Sequence, residues 1–159
     1  MWKGKDTMSK FKIYFKSILI PLLVGTLVGI LISGSMDYET LTKPFLAPPS
    51  TLFPIVWTIL YILMGVSYGI LRENSQTTKE IDSIYYGQLV INALWPIAFF
   101  VLKWRLFAFI WIILLAILVM TMIIKFYNKN KIAGLIQIPY LLWTIFATYL
   151  NFNIYILNK

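Results

Sequence analysis

The stretch LFAFIWIILLAILVMTMIIKF, Leu106 to Phe126, carries a single charge, Lys125, beside its end. A helix needs about 20 apolar residues to cross the hydrocarbon core of a bilayer, and it satisfies every backbone group internally where no water can. The segment reads as a membrane-spanning helix. Four more apolar runs of similar length lie outside it, at about Phe11 to Ser33, Leu52 to Leu71, Ile84 to Leu102 and Ile132 to Leu157. Five spans consume most of the 159 residues and leave room for short connections only. The predicted fold class is therefore all-α, an integral membrane bundle of five transmembrane helices, with residues 1–10 as an N-terminal tail and 11–159 as one transmembrane domain.

Composition agrees. Hydrophobic residues make up 60% and charged residues 13%, against roughly 25% charged in an ordinary soluble domain. The chain has no Cys and no His, which excludes thiol redox chemistry, disulfide scaffolds, His-ligated haem, zinc fingers and every His-based triad. No metal site and no resident cofactor is expected. The formal net charge of +8 does not indicate nucleic acid, because a nucleic-acid footprint clusters basic residues on one exposed face. Here they sit in the joints between apolar runs.

Those joints set the expected topology. Lys3, Lys5, Lys10, Lys12, Lys16, Arg72, Lys79, Lys125, Lys129 and Lys131 fall on one side, and Lys43, Lys103, Arg105 and Lys159 on the other. The positive-inside rule makes the N-terminus cytoplasmic. The first run also imitates a secretory signal, with Lys10, Lys12 and Lys16 before it and Ser33-Gly34-Ser35 after it. Its apolar part of about 16 residues, Ile18 to Ser33, exceeds the usual 7–15 of a signal core, so it is read as a retained span.

The connections differ in character. Residues 35–50 form the longest loop, with Pro44, Pro48 and Pro49 among bulky apolar neighbours. Proline fixes φ and removes a donor, so an extended, stiff lid over the bundle is expected. Arg72 to Asp82 reads as a polar, mobile loop, and Lys103–Arg105 and Tyr127–Lys131 as tight turns.

None of the six acids lies within these spans, which argues against a proton-coupled pump. Gln88 and Asn92 stand four apart, on one helix face, and suit an interhelical hydrogen bond, a ligand contact or both. Aromatics are the larger signal. Trp57 with Tyr61, Asn92 with Trp95, and Trp143 with Ala147 repeat a Trp beside a small or polar partner at one-turn spacing. Trp2, Trp104 and Trp111 need no more than the interfacial belt. If Trp57, Trp95 and Trp143 converge, they make a slot with π faces suited to a flat apolar molecule. Gly25–Gly29 and Gly65–Gly69 are GxxxG patterns that permit close helix approach, inside the bundle or between copies. Pro54, Pro96 and Pro139 are expected to bend their helices. Leu150, Tyr155 and Lys159 fit the loose cholesterol pattern, which arises easily by chance.

These residues together resemble a known family. Leu41-Thr42-Lys43-Pro44 with Pro48-Pro49, then Val56-Trp57, Leu60-Tyr61 and Met64-Gly65, are similar to the first loop and second helix of the translocator protein family (TspO/MBR, the peripheral-type benzodiazepine receptor). Tyr86-Gly87-Gln88-Leu89, Asn92, Trp95-Pro96 and Phe99-Phe100 continue the likeness in the third helix. Pro139-Tyr140-Leu141, Trp143, Phe146-Ala147 and Leu150-Asn151 close it in the fifth.

The resemblance implies a five-helix, often dimeric protein of the bacterial cytoplasmic membrane. It would bind porphyrins such as protoporphyrin IX, sterols or benzodiazepine-type ligands beneath the first loop, in contact with membrane lipid. It implies ligand-binding positions at Tyr38, Trp57, Asn92, Trp95, Trp143 and Ala147, to which the spacing from Trp57 adds Tyr61, with Pro44, Pro48 and Pro49 shaping the lid. It also implies two alternatives: light-dependent porphyrin breakdown with Trp57 and Trp143 as catalytic residues, and a scaffold or stress regulator acting through protein partners. The sequence departs from the family at Asp37 and Leu46, where the first loop usually carries Trp, and at Trp111, where an acidic residue is common.

Overall fold

The computed structural model describes the backbone of residues 3–159 and the side chains from Ser9 onward. The belt reading of Trp2, and the side chains of Lys3 and Lys5 used in the topology count, lie outside the described residues. The helices are α1 (Lys3–Ile32), α2 (Leu52–Glu73), α3 (Lys79–Pro96), α4 (Arg105–Lys129), the short α5 (Lys131–Leu135) and α6 (Ile138–Leu157). Among the described residues, five segments are long and apolar enough to cross a membrane, the fifth being α5 and α6 together. α1 packs on α2, and α4 packs on both α3 and α6.

A sequence apolar on every side does not reveal which stripe faces the protein. On α4 that stripe is Ala108, Ile112, Leu115, Val119, Met122 and Phe126, each fully buried. The alternating spacing of four and three is that of left-handed helix packing. Ile110, Ile113, Ile117, Met120 and Ile124 are equally apolar and exposed, as lipid-facing side chains are.

Three glycines bring α1 against α2. A Cβ on Gly65 would lie 2.3 Å from Ile18 Cα, one on Gly69 would lie 2.7 Å from the Tyr14 ring, and one on Gly25 would lie 2.2 Å from the Tyr61 ring. Both GxxxG patterns thus serve packing inside the bundle, except at Gly29, which faces open space.

Several boundaries differ from the sequence expectation. α1 begins at Lys3, so the backbone of the expected tail is helical. Glu73, Glu80 and Asp82 fall in terminal turns of α2 and α3. There, within the spans, Glu73 meets Lys10 at 2.6 Å, Glu80 pairs with Lys125, and Asp82 accepts from Tyr68 at 2.7 Å. The expected mobile loop shrinks to residues 74–78 and is tied down: the Gln76 backbone N–H donates to Leu71 O, and its amide donates to Lys129 O.

Pro54 sits in the first turn of α2, and Pro139 opens α6. Pro54's position tolerates a missing N–H, whereas Pro139 follows the break at residues 136–137 that divides the fifth span into α5 and α6. Pro96 is the last residue of α3, and the chain passes directly into a π-helical turn over Ile97–Val101. Pro21, which the sequence reading passes over, lies within an uninterrupted α1.

Candidate functional site

Residues 33–51 fold back on themselves rather than running extended. Two 3-10 turns, Ser33–Ser35 and Tyr38–Thr40, start the segment. The prolines then act as acceptors: Ala47 N–H donates to Pro44 O at 3.0 Å, Leu52 N–H to Pro49 O at 3.0 Å, and the Tyr38 hydroxyl to Pro48 O at 2.8 Å. A proline lacks a donor but keeps its carbonyl, so three of them supply closure points without leaving an unpaired N–H. Asn158, near the end of the chain, grips the backbone of Thr42 with two hydrogen bonds of 2.9 Å. The loop is a folded cap, and Phe45 at its tip is 99% exposed.

Beneath the cap lies a cavity of about 650 Å³, within the roughly 300–1,000 Å³ of small-molecule sites. Its walls come from α1, the cap, α2, α3 and α6. Tyr38 closes the top, buried and edge-on to Phe53 at 5.0 Å. Trp57 and Tyr61 present one face of α2, their rings 5.7 Å apart.

Asn92, Trp95, Phe99 and Phe100 line the cavity from α3 and the turn after it. Pro96 cannot donate to the carbonyl four residues back, and the chain widens into a π-turn over Ile97–Val101, the kind of local widening often found at functional sites. That turn carries Phe99 and Phe100 to the cavity. Ala147, Leu150, Asn151 and Ile154 of α6 complete the floor.

The polar groups of the floor are already paired. The Tyr61 hydroxyl donates to Asn92 Oδ1 at 2.7 Å, Asn92 Nδ2 to the Tyr140 hydroxyl at 2.7 Å, and Tyr140 onward to Gln88 Oε1 at 2.8 Å. Trp95 Nε1 donates to Asn151 Oδ1 at 3.1 Å, and Asn151 Nδ2 to Ala147 O at 2.7 Å. Buried polar groups cost little when satisfied, and these present a saturated surface. Among the described residues, no Lys, Arg, Asp or Glu lines the cavity. Such a site favours dispersion and ring stacking over ionic recognition. On one side the lining residues Thr26, Gly29 and Ile30 of α1, Thr51 just before α2, and Pro54 and Thr58 of α2 are exposed, so the cavity opens between the two helices.

At the cap, burial and the neighbouring Glu39 carboxylate raise the Tyr38 hydroxyl above its ordinary value. Hydrogen bonds from Lys43 and Ser50 hold the Glu39 carboxyl below its own. Tyr38 is thus a neutral wall, and its ring also receives the Lys43 ammonium at 4.7 Å.

Of the expected site residues, Tyr38, Trp57, Tyr61, Asn92, Trp95 and Ala147 line one cavity. Trp143 is not among the lining residues. It packs edge-on against Phe53 at 6.0 Å, and its buried Nε1 has no hydrogen-bond partner among the described residues. Pro44, Pro48 and Pro49 shape the cap without lining the cavity. Gln88 is purely interhelical, whereas Asn92 both lines the cavity and joins three helices. Trp111 is more than a belt residue: its Nε1 donates to Ile91 O of α3 at 2.9 Å. Phe53, Phe99 and Phe100 were not among the predicted site residues. Phe53 was accessible to reasoning, being four before Trp57 on the same face; the other two depend on the π-turn.

The profile of the TspO/MBR family matches residues 17–157, the whole of the cap and every cavity wall. The chain belongs to the TspO/MBR family. Among curated members it is 39% identical over 145 residues to the tryptophan-rich protein TspO of Archaeoglobus fulgidus, covering 89% of this chain and 94% of that one. It is 32% identical to the tryptophan-rich sensory protein of Cereibacter sphaeroides, covering 82% of each. It is 30% identical to the human translocator protein, covering 77% and 75%. The likeness in each case spans most of both chains, so the TspO/MBR relationship extends to the whole bundle.

Proposed function

We propose that this TspO/MBR protein is a membrane receptor or carrier for a flat apolar molecule of the tetrapyrrole class, with protoporphyrin IX as the first candidate. The observation that carries this reading is the uncharged, aromatic-walled cavity under the folded cap, in which Tyr38, Phe53, Trp57, Trp95, Phe99 and Phe100 offer π faces from several directions. Stacking contributes beyond simple area burial, by about 0.5–1.5 kcal/mol per aromatic pair. Sterols and benzodiazepine-type ligands are the alternatives of the same chemical kind. The protein sits in a bacterial cytoplasmic membrane with a cytoplasmic N-terminus, and acts as a homodimer.

The test is titration of purified protein with protoporphyrin IX, read by quenching of tryptophan fluorescence. Trp57→Ala is expected to weaken binding, and unchanged affinity would remove the assignment of this cavity.

Trp57 supports a second reading, light-dependent breakdown of the bound porphyrin, because an oxidisable indole lines the cavity. Trp143 stands one ring further out, against Phe53. Trp57→Phe and Trp143→Phe are each expected to keep porphyrin affinity within about tenfold, or 1.4 kcal/mol. Trp57→Phe should remove most light-dependent degradation, and Trp143→Phe should remove less. Equal degradation by wild type and both variants at saturating porphyrin would eliminate the enzyme reading and leave the receptor reading intact.

A further inference from the structure

Asp37 is where this chain lacks the aromatic residue that the resemblance leads one to expect in the first loop. Its carboxylate Oδ2 lies 2.7 Å from Arg105 Nη2 and 3.6 Å from Lys103 Nζ. Arg105 is the first residue of α4, and its side chain is only 13% exposed. The same guanidinium donates from Nη1 to Phe99 O at 3.3 Å and lies over the Phe99 ring, 4.4 Å from its centre. One side chain thus joins three things: the cap, the π-turn that follows α3, and an aromatic wall of the cavity.

Asp37 is flanked by Met36 and Tyr38, both cavity-lining. Its backbone carbonyl closes the Tyr38–Thr40 turn by accepting from Thr40 N–H at 3.0 Å and from the Thr40 hydroxyl at 2.8 Å. Any displacement of Asp37 therefore carries Tyr38 with it.

We propose that Asp37 and Arg105 form a latch that holds the cap shut over the cavity and sets how fast the cavity exchanges its contents. Arg105 is a positioning residue: it acts through Asp37 on Tyr38 and directly on Phe99. A charge-assisted hydrogen bond in a mostly buried setting is among the stronger polar contacts. Here the pair is the shorter and more buried of the two ionic contacts that Asp37 makes, the other being with Lys103 of the α3–α4 connection. The far side of the cap is held differently, by Asn158 on Thr42. Release of Asp37 would let the cap swing on that second attachment. Only Oδ2 is engaged, since Asp37 Oδ1 is buried with no hydrogen-bond partner among the described residues, so the latch rests on one oxygen and chiefly on its shorter contact, to Arg105. The proposal specifies regulation of the site named under Proposed function and rests on that reading for the identity of what is exchanged.

The test uses the absence of cysteine. Ala147→Cys places a thiol in the cavity floor beneath the cap, and its rate of modification by a small impermeant methanethiosulfonate reports opening without any ligand. In that background Asp37→Asn and Arg105→Gln are each expected to raise the rate about fivefold or more, the scale of losing one charge-assisted hydrogen bond. The exchanged pair Asp37→Arg with Arg105→Asp is expected to return it close to the starting value. Lys103→Gln, at the longer distance and 60% exposed, should change it little. Thermal unfolding of each variant separates opening of the cap from loss of fold.

Unchanged rates in both single variants would overturn the latch. So would an exchanged pair that labels as fast as the single variants, because Arg105 would then act through Phe99 alone. Wild-type protein that fails to bind protoporphyrin IX while labelling follows the expected pattern would sink the proposed ligand and leave the latch standing.

Discussion

Gly25→Ala tests how the packing of α1 sets the shape of the cavity. The added methyl would lie 2.2 Å from Tyr61 Cε2 and 2.6 Å from Cδ2, well inside the roughly 3.5–4.0 Å of an ordinary carbon contact. The ring must retreat by more than 1 Å or α1 must move off α2. Retreat is not free, because the Tyr61 hydroxyl is held by Asn92 Oδ1 at 2.7 Å. A shift of that size breaks a buried hydrogen bond, at about 1–3 kcal/mol for the orphaned groups. Alanine recovers about 1 kcal/mol of helix propensity relative to glycine, so the net expectation is a loss of up to about 2 kcal/mol together with weaker porphyrin binding.

Gly29→Ala is the control: it lies one turn along the same helix and lines the same cavity, but nothing lies within 4 Å of its added methyl. It should stabilise by about 0.5–1 kcal/mol. Circular dichroism of detergent-solubilised protein during thermal and denaturant unfolding gives both signs. Equal shifts for the two variants would refute the reasoning. A Gly25→Ala loss that persists undiminished in a Tyr61→Phe background would show that the hydrogen bond is not what resists the ring.

Two further outcomes are expected. The Glu39 carboxyl titrates below the ordinary 4.5 because Lys43 and Ser50 hydrogen-bond its charged form. Its contribution to the cap is therefore complete above the ordinary value and is lost as pH falls through the lowered one. Carbon-13 titration of Glu39 reads this directly, and Lys43→Gln should move the midpoint up; a midpoint at or above the ordinary value would remove the interaction. For topology, a cysteine at Ser75 should be protected from an impermeant thiol reagent in intact cells and one at Ser50 should react, and the reverse pattern would invert the assigned orientation.

The sequence by itself determined the number of spans, the absence of His and Cys chemistry, and the residue types of the site. Run length and flanking charge are local quantities, and helix periodicity places Trp57 with Tyr61, and Asn92 with Trp95, on shared faces without reference to the rest of the chain. The convergence of those faces on one cavity was legible only through the family resemblance. Tertiary structure decided the remainder because it depends on distances between segments.

Trp57 and Trp143 look equivalent in sequence, each with a partner one turn away, yet Trp57 lines the cavity while Trp143 packs against Phe53. Three prolines suggested a stiff, extended lid, but their carbonyls find donors only once the chain folds back. Asp37 looked like a lost aromatic, and Arg105, far along the chain, makes it a tie. On α4, apolar on all faces, hydrophobicity carried no information about orientation: lipid and protein interior are similar solvents for Ile and Leu, so only the packing of neighbouring helices selects the stripe from Ala108 to Phe126.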